Sequence, residues 1–254
     1  MSIPGAQNRP NTLPTAAMIL AAGLALRMRP MTDYRPKALL EVGGKALIDH
    51  TLDALPRHGI SRAVVNVHHM AHMLEQHLGQ RRSEPEIIIS DERSRLMDTG
   101  GGVKQALPFM PQIHPLLIFN GKCVWTDGPR QALYRLADVW DATKMDALLL
   151  LCPIDVAIGY DGNGDFDMTD GGQITSESKD AGRRAPYVFT GIQMLNPSIF
   201  QNTPDEPFSM RIIWSNAIAR YRLYGVVHDG SWMQVWNVDS LQQIEHALSQ
   251  GLLP

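Results

Sequence analysis

Five short apolar runs, at 16–22, 63–67, 86–89, 116–119 and 147–152, are partly β-branched and are separated by polar or helical stretches. Runs of that length with no internal alternation suit strands covered on both faces, and helical spacers between them suit crossover connections. The expected fold class is therefore α/β, a mostly parallel sheet flanked by helices. Residues 46–58 carry Leu47, Ile48, Leu52 and Leu55 at helical spacing, with Gly59 placed to stop a helix. Residues 66–79 repeat the pattern through Met70, Met73, Leu74, His77 and Leu78. A strand over 187–195, a helix over 212–220 and a last helix over 241–248 complete the expectation. The stretch 1–15, with Pro4, Pro10 and Pro14, reads as a flexible leader, and 16–254 as a single domain without repeats.

Charge excludes several function classes. With 23 Lys and Arg against 26 Asp and Glu, net charge is −3, so no general basic field draws the chain to nucleic acid or anionic lipid. No stretch approaches the roughly 18 apolar residues of a membrane helix. Cys123 and Cys152 sit far apart beside apolar runs, as buried reduced thiols do, which fits a cytoplasmic protein.

The segment from Met18 to Leu40 joins a buried strand to a glycine turn at Gly23 and then to spaced cations, Arg27 and Lys37, around Pro30 and Pro36. Such a loop is suited to phosphates. Leu20, Ala21, Ala22, Gly23, Arg27, Met28, Pro30, Thr32, Pro36, Lys37 and Leu39 follow one another as in the signature of the sugar-phosphate nucleotidyltransferases, which the chain resembles from about Ala16 to Leu248. Mannose-1-phosphate guanylyltransferase-like proteins share that signature. The resemblance implies a Rossmann-like nucleotide-diphospho-sugar transferase fold. It also implies transfer of a nucleotidyl group from a nucleoside triphosphate to a sugar 1-phosphate. Arg27 and Lys37 take the catalytic positions, while Leu20, Ala22 and Gly23 lie against the nucleotide. Ala25 stands where the family has its second glycine, and Leu26 where a small or polar residue is usual.

The other family segments fall in order. Asp98-Thr99-Gly100-Gly101-Gly102 resembles the base-recognition loop, in the version of the N-acetylmuramate-1-phosphate uridylyltransferase branch, which points to UTP and to cell-wall sugar. It is expected as a turn ahead of a helix beginning near Val103, with Asp98, Gly100 and Gly101 against the nucleotide. Asn120 ends an apolar strand where an open α/β sheet places ligands. Two residues on, the family's magnesium-holding aspartate is replaced by Lys122, and its second ligand by Gln234. Trp236 replaces a late glycine, and no metal ligand is assigned. Asp127 and Asp229 are the spare carboxylates nearest in sequence. Thr190 and Gly191, in Tyr187-Val188-Phe189-Thr190-Gly191-Ile192, match the strand beneath the sugar. Phe208, Ser209, Met210 and Trp214 follow the muramate-type branch, with Arg211 in place of asparagine.

Two further motifs read as structural. Asp161-Gly162-Asn163-Gly164-Asp165 opens like a calcium loop, but position twelve is Gly172 and not glutamate, so a hairpin turn is expected. His68, His69 and His72 are expected to be solvated or helix-facing. Two functions start from these residues. One is a uridylyl-type transferase working with magnesium. The other is a nucleotide or nucleotide-sugar binding protein needing no cofactor, in which the substitutions at Ala25, Lys122, Gln234 and Trp236 have ended catalysis. The sequence assigns no oligomeric state.

Overall fold

In the computed structural model, residues 13–111, 115–177 and 183–250 are described. The leader expected over 1–15 falls almost wholly outside them. The strands are β1 (Ala16–Leu20), β2 (Glu41–Val42), β3 (Lys45–Ala46), β4 (Arg62–Val67), β5 (Glu86–Asp91), β6 (Leu116–Asn120), β7 (Cys123–Trp125), β8 (Ala147–Pro153), β9 (Phe166–Met168), β10 (Ile174–Glu177), β11 (Tyr187–Leu195), β12 (Leu223–Val227) and β13 (Trp232–Gln234). The α-helices are α1 (Leu47–Ala54), α2 (Ala71–Gly79), α3 (Asp98–Ala106), α4 (Ala132–Val139), α5 (Met210–Ala219) and α6 (Val238–Ser249).

β6, β1, β4 and β5 lie side by side and parallel, in that order. β11 runs antiparallel between β6 and β8, and β12 lies parallel to β8. The alternation of each strand builds two cores. Ala17, Ile19, Val65 and Phe119 pack with Leu52, Leu74 and Leu133 on one face, and Met18, Val64 and Ile118 pack with Val103, Ile213 and Trp214 on the other. Full coverage of both faces is why these strands read as continuous apolar runs. A third cluster joins Met28, Leu40 and Leu47 to Met233, Val235, Leu241 and Ile244, and so fastens α6 to the loop after β1. The start of α6 is held by a capping box, Asn237 Oδ1 accepting from Ser240 N at 2.8 Å and Ser240 Oγ from Asn237 N at 3.0 Å.

Two expectations shift in place. The first is the helix expected near Val103, which starts five residues earlier at Asp98 and takes in all three glycines. Each glycine is bare for packing. A Cβ on Gly100 would meet the Phe208 ring at 2.3 Å, and one on Gly102 would meet Glu92 Oε1 at 2.7 Å. The second is the hairpin turn of the Gly and Asp-rich region, which lies at Thr169–Gly172, where Gly172 takes φ +81° and donates to Thr169 O at 2.9 Å. The 161–165 stretch instead runs alongside the approach to β11, through Ala185 N to Asn163 O and Asp165 N to Tyr187 O, both 2.7 Å.

Candidate active site

A cleft of about 650 Å3 opens at the C-terminal ends of the parallel strands, within the usual range for small-molecule sites. Its walls include Leu20, Ala22, Gly23, Arg27, Lys37, Asp98 and Asn120, seven of the residues singled out from sequence, together with Lys122 and Trp236. Gly100, Gly101, Thr190 and Gly191 do not line it.

The strand tips hold the cleft in shape. Asn66 on β4 accepts from Ala21 N at 2.6 Å and Ala22 N at 3.3 Å, and donates to Glu92 Oε1 at 2.7 Å. Glu92 Oε2 in turn accepts from Met97 N at 3.0 Å. This buried bridge ties the loop after β1 to the segment entering α3. Burial holds the Glu92 carboxyl above its usual range, against the hydrogen bonds from Met97 and Asn66. Sequence reading passed over both residues. Their signal was a polar side chain at the end of an apolar parallel strand.

Ala25 takes the left-handed conformation, φ +52° and ψ +39°, that glycine adopts freely. Its carbonyl accepts from Met28 N at 2.9 Å and Thr32 Oγ1 at 3.0 Å, which holds the loop in that shape. Leu26 is 57% accessible and lies on the cleft wall beside Arg27.

Cations crowd the cleft. The Arg27 guanidinium lies 4.2 Å from the centroid of the Trp236 ring and the Lys122 ammonium 5.2 Å from the same centroid. The tryptophan that replaces a glycine is thus a platform for two charges. Burial above all, then the Lys122 charge and Arg27, together bring Lys37 down to about 7, with Cys123 opposing. Burial is also the chief cause that lowers Lys122, with Arg27 adding and Cys123 and Asp165 opposing. Among the described residues no carboxylate forms an ion pair with Arg27, Lys37 or Lys122. Burial raises the Cys123 thiol to about 11, so it stays protonated, as does Cys152, also raised to about 11 by burial.

The remaining expected residues have other positions. Gly191, at φ +91°, sits in a break of the β8 to β11 ladder between Phe189 and Gln193. A Cβ there would meet Cys123 Sγ at 2.5 Å and the Asn120 Cβ at 2.9 Å. Thr190 is fully buried and its hydroxyl donates to Leu150 O at 2.8 Å. Together they form a bulge that supports the Asn120 tip. Gly100 and Gly101 both donate to Phe208 O, at 2.9 and 3.0 Å. His68 pairs with the Glu92 carbonyl at 2.8 Å.

Enzymes of the family that the sequence resembles generally use a divalent metal, and Lys122 and Gln234, where that resemblance puts its ligands, do not fit one. Lys122 brings a positive charge. Gln234 offers one neutral oxygen, its Oε1, buried and without a hydrogen-bond partner among the described residues. Magnesium asks for several oxygens, usually with carboxylate charge. Asp127 and Asp229 do not supply it. The first accepts from Ala132 N at 2.8 Å and the second pairs with Arg135 at 2.7 Å. The carboxylate whose charge Lys122 feels is Asp165, which accepts from Phe189 N at 2.8 Å and is raised by burial. No group of three His, Cys, Asp or Glu suited to a metal occurs among the described residues, His68, His69 and His72 included, and no helix among them is long and apolar enough to cross a membrane.

Residues 16–251 match the model of the family described as Nucleotidyl transferase. The chain is 40% identical over 241 residues to the N-acetylmuramate alpha-1-phosphate uridylyltransferase of Caulobacter vibrioides, covering 94% of this chain and 98% of that one. It is 29% identical to the protein of the same name in Neisseria meningitidis, covering 90% and 96%. A UDP-glucose pyrophosphorylase solved with UDP-glucose superimposes with a TM-score of 0.74 at 14% identity, over 94% of this chain and all of that one. A putative glucose-1-phosphate thymidylyltransferase from Bacillus anthracis gives 0.73 at 19% identity, over 91% and 94%. The strand order, the cation-lined cleft at the strand tips and these likenesses agree: the chain belongs to the nucleotidyl transferase family.

Proposed function

We propose that the protein transfers a uridylyl group from UTP to N-acetylmuramate 1-phosphate, giving a UDP-sugar and pyrophosphate. The observation that carries this reading is the convergence of Arg27, Lys37 and Lys122 in one cleft without carboxylate partners among the described residues, in a chain 40% identical to a protein named as an N-acetylmuramate alpha-1-phosphate uridylyltransferase. That relatedness speaks for chemistry over binding alone. The reaction belongs in the cytoplasm, where nucleoside triphosphates are held.

The base and ribose lie against the wall of Leu20, Ala22, Gly23, Asp98 and Asn120, with the triphosphate running toward Arg27 and Lys37. A sugar phosphate oxygen attacks the α-phosphorus in line, a P–O bond forms, and the bond to the β-phosphate breaks as pyrophosphate leaves with the electron pair. Phosphoryl and nucleotidyl transfers of this kind depend on positioning and on charge stabilisation. Lys37, in its ammonium form, neutralises charge at the α-phosphate, and Arg27 holds the leaving phosphates. Gly100 and Gly101 act behind the base, by letting Phe208 close against α3. Thr190 and Gly191 act behind the sugar, through the bulge under Asn120. Magnesium enters as the ion chelated by the triphosphate, as part of the substrate.

The test is kcat/KM for UTP, CTP, GTP and TTP, each with N-acetylmuramate, N-acetylglucosamine and glucose 1-phosphates, read as pyrophosphate released. UTP with N-acetylmuramate 1-phosphate is expected to lead by tenfold or more, an effect the size of one well-placed contact, ~1.4 kcal/mol. Release with another base or sugar alone would reassign the substrate.

A further inference from the structure

Resting on the nucleotidyl-transfer reading above, we propose that Lys122 itself supplies, at the reacting phosphate, the positive charge that relatives draw from a divalent ion, so that this site grips the α-phosphate without a resident metal. Lys122 follows Asn120 at the tip of β6, in a turn closed by its own N–H to Asn120 O at 2.8 Å. It lies on the cleft wall. Its ammonium shares the Trp236 ring with Arg27 and stands near enough to Lys37 to disfavour that group's charge.

Three cations brought together in one cleft repel one another, and burial costs Lys37 and Lys122 solvation. In a chain of net charge −3 there is no shortage of carboxylates to pair with them, yet none forms an ion pair with these three among the described residues. The arrangement is complete only when a polyanion enters. A phosphodiester-forming reaction offers one at the required place: the α-phosphate and the incoming sugar phosphate both carry negative charge, and the leaving pyrophosphate gains more. Lys122 donates hydrogen bonds from its ammonium to the α-phosphate as the new P–O bond forms and the old one breaks, and it neither takes nor gives a proton. The indole at Trp236 fits the same account: a carboxylate there would pair with Lys122, whereas the neutral ring leaves its charge free for phosphate.

A nucleoside monophosphate separates this proposal from ordinary substrate chelation, because it binds magnesium only weakly on its own. Calorimetry with UMP is therefore run in EDTA and in millimolar magnesium, on the wild type, Lys122→Gln, Lys122→Arg and Lys122→Asp, with thermal melts alongside. The wild type is expected to bind UMP equally, within about threefold, in both buffers. Lys122→Gln is expected to bind about tenfold more weakly in EDTA, the loss of one charge-assisted phosphate contact, while melting no lower than wild type. Lys122→Arg should restore most of that loss. Lys122→Asp should lose metal-free binding and bind better with magnesium. A wild type that binds UMP more than tenfold better with magnesium, or a Lys122→Gln protein that binds as well as wild type in EDTA, would overturn the proposal. In either case pyrophosphate release from UTP by the wild type would leave the transferase reading standing. No UMP or UTP binding under any condition would remove both.

Discussion

Single side chains decide how this site differs from its family pattern. Ala25 holds a left-handed backbone that costs an L-residue with a Cβ roughly 1–2 kcal/mol. Ala25→Gly is therefore expected to raise stability by roughly 0.5–1 kcal/mol once the extra chain entropy of glycine is set against the relief, read as a higher urea midpoint at unchanged slope. A lower midpoint would mean that the Ala25 methyl packs in a way its strain conceals. Lys37, brought to about 7 by burial and by Lys122 and Arg27, sets a second expectation. In the free protein its ammonium is present below about pH 7 and is lost as pH rises through that value, while bound phosphate favours the charged form. So kcat/KM for the nucleotide should fall as pH rises above about 7. Lys37→Arg, which stays charged, should flatten that limb relative to wild type, and Lys122→Gln, which removes a facing cation, should move it to higher pH. The same limb in all three proteins would place the titration elsewhere. That Arg27, Lys37 and Asn120 share one cleft was legible from the chain because the spacing of the motif survives. The role of Trp236 was not, because a substitution reads as a loss until the neighbouring cations are seen over its ring.

Strands and helices were legible to within a few positions where an apolar run or stripe marked them, as in β1, β4, β8 and α6, whereas α2 begins at Ala71, five residues after the expected start, because Asn66 and Val67 still belong to β4. The antiparallel insertion of β11 between β6 and β8 was not, because pairing partners leave no periodicity in a single strand. The start of α3 was misplaced for a related reason. Three consecutive glycines predict a turn by their intrinsic preference, but here the helix tolerates them because Phe208, Glu92 and Asn66 fill the space that side chains would need. The bridge from β4 to the loop after β1 carries its own test. Asn66→Leu leaves Ala21 N and Glu92 Oε1 without the partner Asn66 gives them, which should lower stability by roughly 1–3 kcal/mol and raise the KM for nucleotide more than it lowers kcat. Chemical denaturation and steady-state kinetics on the same preparation check both parts. An unchanged KM would show that the loop keeps its shape without the bridge.

One sheet runs through the described residues from β10 to β5, with cores on both faces. The cleft sits where the parallel strands end, and the third apolar cluster closes α6 over the segment that carries Trp236. Family membership was legible in the chain because the apolar framework and the loop after β1 both persist. What the sequence left open was whether the altered metal positions end the chemistry. The structure bears on this through charge: Arg27, Lys37 and Lys122 stand together in the cleft, with no carboxylate ion pair among the described residues. The most direct measurement is phosphorus NMR of the protein incubated with UTP, magnesium and N-acetylmuramate 1-phosphate. The account predicts the paired diphosphate resonances of a UDP-sugar growing with free pyrophosphate in equal amount. UTP left intact with the sugar phosphate unchanged, or UTP merely hydrolysed, would contradict it.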